Sequence, residues 1–588
     1  MSKPIESYAL IGDGETAALV GRYGSVDWLC WPQFSDDACF CALLGTTENG
    51  RWSITPQEAV VESERRYRGD SLVLEMRLHT RSGVVCITDF MPVRDARPAL
   101  VRIVEGVSGA VEMALDLNPR FDYGALPPWW EARQDGAVAV AGQHRVTLRA
   151  PVPLTIEGGC VTGRFTVHEG QRLAFALVHT VVWETETPPL DVEAALASTQ
   201  AHWEGWIARF DASRTRWPAA VKRSLLTLKA MMHARSGGLI AAPTTSLPEV
   251  PAGAMNWDYR YAWLRDSTFT LGAFMNAGFE NEAIAWRDWL LRALAGSPEQ
   301  LRIMYRVDGS RHLAEWTVDA LPGYREARPV RIGNAASTQH QLDVYGEVLD
   351  TLALARRAGI AATDHQRDVE GRIVAQLERT WQGRGAGIWE SRGDPKKYTY
   401  SKAMCWVGFD RALRHCGLPT EARSGLESLR DRVHAEVCRE GWNAGLGTFT
   451  QSYGNQTLDA SLLLLPLVGF LPADDPRMAS TIARIGEDLS QDGFIRRTRA
   501  KDDASDEGAF LPCSLWMADC LRLQGRPEEG EAYLERVLGV ANDVGLLSEE
   551  YDVPGRRLTG NFPQALTHLG VVNTALGLSG PVLDRGGG

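Results

Sequence analysis

Between about residue 218 and residue 577 the chain keeps one rhythm: a stretch with apolar residues at helical spacing, a long connection, a second such stretch, a short connection. Periodicity and breakers predict twelve helices, near 218–234, 264–278, 280–295, 338–358, 363–382, 401–415, 420–439, 457–466, 476–490, 511–524, 527–542 and 563–577. The long connections carry NWDYRY, LPGYREARPVRIGN, GIWESRG, GWNAGLGTFTQSYG, GFIRRTRAKDDASDEG and LLSEEYDVPGRRLTGNFP. Consecutive helices of an antiparallel array release their connections at opposite ends, so the long ones gather on one face. Six helical hairpins with one loop-rich face describe an (α/α)6 barrel with a site at one mouth. A helical solenoid would give the same helix count, but the sequence shows no fixed period.

The first third reads differently. Residues 1–185 hold short β-branched and apolar runs bounded by Gly, Pro, Asp and Asn, among them SLVLEMRLHT, VVCITDFMPV, ALVRIVEGV, VEMALDLNP, AVAVAG, HRVTLRA and LAFALVHTVVW. Alternation and turn spacing of this kind predict an antiparallel β-sandwich. Near Leu190 the texture changes, and DVEAALASTQAHWEGWIARF reads as a helix. The expected division is therefore a sandwich at 1–185, a linker helix region at 186–216 and the barrel at 217–588. The G-D-G beginning at Gly12 lacks the spacing of a nucleotide-binding loop, so Asp13, Trp28 and Trp31 are assigned to turns and packing.

Composition narrows the function. A net charge of −12 argues against nucleic acid and against an anionic membrane surface as partners. The beginning MSKPIESYALIGDG has no basic segment followed by an apolar run, and no apolar stretch approaches about 18 residues, so a cytoplasmic chain is expected. Ten scattered cysteines with no C-x-x-C pair and no histidine cluster fit a reduced protein without a metal site.

The long connections concentrate acids, aromatics and glycines. In GIWESRG, Glu390 follows Trp389 among glycines, and an acid buried against an indole can stay protonated near neutral pH. In NWDYRYAWLRDS, the pair Arg265 and Asp266 follows Trp257, Tyr259, Tyr261 and Trp263, which suits a pocket that hydrogen-bonds one sugar; Trp257 and Trp389 are candidate sugar contacts. In LLSEEYD, Glu549 and Glu550 are adjacent acids whose repulsion is costly if both are buried. Cleavage of a glycosidic bond needs one protonated and one ionised carboxyl, and Glu390 with a member of the second pair meets that need. Asp258, Asp343, Glu347 and Glu507 compete for either role.

These residues fall in motifs that resemble glycoside hydrolase family 15, the glucoamylases and trehalase-like bacterial enzymes, over nearly the full chain. The resemblance rests on IGDGETAALVGRYGSVDWLCWP, APTTSLPE, NWDYRYAWLRD, PVRIGNAASTQHQLDVYGEVLD, GIWESRG with YSKAMCW, LDASLLLLP, DEGAFLPCSLW, LLSEEYD and GNFPQALTHLG, in that order. It implies a β-sandwich followed by an (α/α)6 barrel and inverting, exo-acting hydrolysis of a small α-glucoside, with trehalose or a malto-oligosaccharide the leading substrates. By motif, Glu390 becomes the general acid, Glu549 the general base, Arg265 and Asp266 the grip on the non-reducing glucose, and Lys402 and Trp406 further sugar contacts. The sequence departs at Asp506–Gly508, where the family often has Gly before the Glu. No cofactor is expected, although some trehalase-like members depend on phosphate and magnesium. Alternatives are an isomaltose-type α-1,6-glucosidase, a disaccharide phosphorylase and a non-catalytic sugar-binding protein.

Overall fold

A computed structural model of the chain describes residues 3–94, 97–184, 188–296, 298–416, 420–498 and 507–583. The expected boundary at 185/186, the residue Asp506 and much of the GFIRRTRAKDDASDEG connection lie outside the described residues.

The β part is antiparallel and is organised by one strand of 20 residues, Ala99–Asn118. Its first half pairs with Gly83–Phe90 and Arg172–Val181, its second half with Arg51–Pro56 and Cys160–His168. The sequence predicts two strands here, ALVRIVEGV and VEMALDLNP, whereas the backbone runs through without a turn. The glycines between them serve close approach instead. A Cβ on Gly106 would stand 2.1 Å from the His168 carbonyl oxygen, and Gly109, at φ +70°, would meet the Ser82 carbonyl at 2.2 Å. A strand that changes partners midway needs such a bend to serve both layers of a sandwich.

After the sheet, the helix Val192–Ile207 is capped by Asp191, whose side chain accepts the Ala194 amide. The helical part then follows the predicted order. Its inner members are Ser267–Asn276, Asp343–Arg357, Thr399–His415, the short turn Ala460–Leu463 continued by Leu464–Leu467, Leu511–Leu523 and Ala565–Ser579. Each packs on the next, and Ala565–Ser579 packs back on Ser267–Asn276, so among the described residues the inner ring closes. Outside it lie Pro218–Met231, Glu280–Ala293, Asp364–Thr380, Thr420–Glu440, Pro476–Asp488 and Pro527–Leu538. Burial explains the two rings. In Thr399–His415 every residue from Thr399 to Leu413 is buried, whereas Asp364–Thr380 buries the stripe Val369, Ile373, Val374 and Leu377. This is the (α/α)6 barrel.

The β part also holds a loop of the barrel in place. Arg260 is fully buried; it donates to Asp258, to the Asp36 carbonyl at 2.9 Å and to the Tyr123 hydroxyl at 2.9 Å, the last two belonging to the β part. The Trp28 indole donates to the Pro243 carbonyl at 2.7 Å. NWDYRYAWLRD is thus anchored one residue after Tyr259 by a paired buried charge, which is costly to remove singly.

Candidate active site

At the loop-rich mouth lies a cavity of about 510 Å³ whose walls include Trp257, Tyr259, Trp263, Trp389 and Glu390, together with Glu249, Arg497 and Glu507. Five of the six connections predicted to share a face supply lining residues, NWDYRY, the LPGYREARPVRIGN stretch, GIWESRG, GWNAGLGTFTQSYG and GFIRRTRAKDDASDEG, whereas among the described residues LLSEEYDVPGRRLTGNFP supplies none.

Glu390 sits in this wall with a backbone φ of +49°, a left-handed conformation uncommon outside glycine. Such strain persists only where the surroundings enforce it, as functional sites do. Here the Gln339 amide donates to the carbonyl oxygens of Glu390 and Ser391 at 3.0 and 3.2 Å. The carboxylate accepts from the Trp263 indole at 3.2 Å and from Arg265 at 3.1 Å. Burial pushes its pKa up to about 7; Arg265 opposes the rise and Asp266 adds to it. The indole beside the acid is therefore Trp263. Trp389, expected in that role as its sequence neighbour, directs its N–H to Asp459 at 3.0 Å and packs on Phe510 and Trp516.

Glu549 is fully buried: the Tyr259 hydroxyl, from the loop that holds Glu390, donates to it at 2.5 Å, and the Asn561 amide, from Glu549's own connection, donates at 3.3 Å. Tyr259 and Trp263, the donors to the two acids, touch edge to face with ring centroids 5.1 Å apart. Burial and then Glu249 raise the Glu549 pKa, while Arg497, the Tyr259 hydroxyl and the Asn561 amide favour its ionised form. Arg265 completes the arrangement. It binds Asp266 at 2.8 Å, and against the cost of burial Asp266 and then Glu390 keep it charged.

The family profile described as Glycosyl hydrolases family 15 matches residues 218–528, and one described as Trehalase-like, N-terminal matches residues 1–177. The chain belongs to glycoside hydrolase family 15. It is 35% identical to a trehalase of Mycobacterium tuberculosis, with 97% of this chain and 89% of that protein covered. A trehalase of Thermoplasma volcanium is 32% identical over 99% of this chain and 94% of its own. A crystal structure of a bacterial glucoamylase complexed with acarbose superposes with a TM-score of 0.74 at 12% identity, covering 98% of this chain and 95% of that one, a likeness of fold.

The structure divides the predicted residues of this family 15 hydrolase. Glu390, Trp389 and Trp257 line the cavity, Arg265 and Asp266 stand behind Glu390, and Glu549 lies behind Tyr259. Lys402 and Trp406 are not brought to the cavity. The Lys402 ammonium is spent on the carbonyls of Trp381 and Gly383, and Trp406 packs on Phe470 at 5.3 Å, so the sugar-contact reading of both is dropped. Among the competing acids, Asp258 is taken by Arg260, Glu347 by Tyr400 and Asp343 by Ser401, whereas Glu507 does reach the cavity.

The sequence reading missed Glu249 and Arg497. Arg497 pairs with Glu249, Glu507 and Glu550, the last at 3.2 Å. These three acids bring one oxygen each within 4.8 Å of one another, but a guanidinium already occupies their centre, so the set does not fit a metal ion.

Burial of Glu390 has a thermodynamic signature. Its folded pKa of about 7 lies above the ordinary 4.5, so the folded protein holds a proton that the unfolded chain has released. Stability from this group falls as pH rises from about 4.5 through about 7, by an upper figure of about 3 kcal/mol, since its side chain is 20% exposed to the cavity. Buried His179 and His568, both pushed down to about 3, act in the opposite sense, so the informative quantity is a difference. The Tm of Glu390→Gln minus that of the wild type should increase between pH 5 and pH 8; calorimetry showing a constant difference would refute the raised pKa.

Proposed function

We propose that this family 15 hydrolase is an inverting, exo-acting α-glucosidase for a small α-glucoside, with trehalose its leading substrate. The observation that carries the reading is a pair of buried carboxyl groups both reached by one loop: Glu390 at the cavity wall, accepting from Trp263 and Arg265, and Glu549, with the Tyr259 hydroxyl on one oxygen and the Asn561 amide on the other. Glu390 protonates the glycosidic oxygen as the bond breaks. Glu549 takes a proton from a water that attacks the anomeric carbon from the opposite face, and the configuration inverts. Arg265 and Asp266 orient the glucose being released and close the inner end of the pocket. Full-length similarity to proteins named trehalase, from a mycobacterium and an archaeon, favours trehalose over the malto-oligosaccharide and isomaltose alternatives.

The division at 1–185, 186–216 and 217–588 belongs to the same proposal, as does a cytoplasmic setting, supported by cysteines that form no disulfide. Among the described residues no helix is long and apolar enough to cross a membrane. The test is glucose release from trehalose, maltose, isomaltose and soluble starch, with and without phosphate and Mg²⁺. Trehalose should be cleaved fastest. Preference for another glucoside would reassign the substrate, no release from any would refute the α-glucosidase, and glucose 1-phosphate appearing only with phosphate would replace hydrolysis by phosphorolysis.

A further inference from the structure

We infer that Arg392, fixed at the cavity rim by Glu315 and the Trp257 ring, binds the hydroxyls of the leaving sugar and sets how strongly the enzyme prefers a sugar leaving group. This deepens the reading above and rests on it. Arg392 lies two residues after Glu390 and lines the same cavity. Its side chain is 42% exposed, yet it is not free to wander. Glu315 accepts from both of its terminal nitrogens, at 3.0 and 2.6 Å, in the forked geometry that suits guanidinium and carboxylate. Its guanidinium carbon also stands 4.1 Å from the centroid of the Trp257 ring.

The clamp is itself supported. Glu315 accepts the Ala335 amide at 3.1 Å and pairs with Arg331, which stands 4.4 Å from the same Trp257 ring and donates to the carbonyls of Ala254 and Asn256. Trp257, read from the sequence as a sugar contact, thus has two arginines over its ring, and its part in recognition passes to what it holds in place.

Position assigns the ligand. A general acid reaches the glycosidic oxygen, so the leaving sugar is seated just beyond Glu390. Arg265, with 9% of its side chain exposed, meets Glu390 on the buried side, leaving the more exposed Arg392 for the leaving side. With Glu315 taking one hydrogen from each terminal nitrogen, the Nε–H and the remaining terminal hydrogens have no partner among the described residues. A locked guanidinium gives such donors to hydroxyl oxygens with little ordering cost.

The test compares kcat/KM of Arg392→Ala, Arg392→Lys and Glu315→Gln in the full chain on two substrates. One is the glucose disaccharide that the wild type cleaves best; the other is α-glucosyl fluoride, whose leaving group has no hydroxyls. Loss of a charge-assisted hydrogen bond corresponds to about tenfold or more. Arg392→Ala should lose at least about tenfold more on the disaccharide than on the fluoride, mainly through KM, with Glu315→Gln and Arg392→Lys falling between. Equal losses on both substrates, or no loss on either, would overturn the inference while the hydrolase reading stands. A wild type inactive on every glucoside would remove the reading and the inference together.

Discussion

Glu390→Gln should lower kcat on the preferred disaccharide by about a thousandfold, within the range that a positioned general acid contributes. The glutamine keeps the size and can still accept from Trp263 and Arg265, so the change removes the transferable proton and little else. A leaving alkoxide depends on that proton, whereas fluoride departs without it. The loss on α-glucosyl fluoride should therefore be at least tenfold smaller. The wild-type rate should fall as pH rises through about 7, where Glu390 releases its proton, and this alkaline limb should vanish in the variant. Equal losses on both substrates, or an unchanged alkaline limb, would take the acid role away from Glu390.

Sequence and structure agree most closely where the signal is local. The order of the helices follows from apolar spacing and breakers, and a loop that alternates in length reports which end of a hairpin it leaves. The inner ring, by contrast, is not marked by composition, since Asp343–Arg357 and Thr399–His415 bury Asp350, Lys402, Asp410 and Arg411. The mismatches have one physical source: contacts between residues far apart in sequence. Arg497 stands out in GFIRRTRA by charge alone, and nothing nearby tells that Glu249, 248 positions away, shares its guanidinium. Trp389 is adjacent to Glu390 in sequence but turned toward Asp459, while the indole that touches the acid comes from Trp263, 127 positions earlier. Lys402 and Trp406 lie one helical turn apart on an inner helix next to the site, and their motif says nothing of the direction in which they project. At Gly106 and Gly109 the sequence shows a breaker, and only the neighbouring strand reveals that the glycines admit a carbonyl oxygen.

Glu549 should prove as sensitive as Glu390 but with a different leaving-group pattern. Water must be activated whichever group departs, so Glu549→Gln should cut kcat by about a thousandfold on the disaccharide and on α-glucosyl fluoride alike. Glu249 and Glu507 are the rivals because both line the cavity, whereas Glu549 lies behind Tyr259. Their environments separate them. Glu249 and Glu507 are each paired with Arg497, and Glu249 Oε1 has no hydrogen-bond partner. Glu549 instead has a donor on each carboxylate oxygen, Tyr259 on one and the Asn561 amide on the other, which fixes the carboxylate plane as a base requires. Glu249→Gln and Glu507→Gln should accordingly retain at least tenfold more activity than Glu549→Gln. With trehalose, NMR of the first turnovers should show α- and β-glucose in equal amounts before mutarotation, because a water activated opposite the leaving group inverts the attacked anomeric carbon while the departing glucose keeps its α configuration. If Glu249→Gln were the silent variant and Glu549→Gln the active one, the base would move to the Arg497 cluster; if trehalose gave α-glucose without β-glucose at first, no base in this position could account for the chemistry.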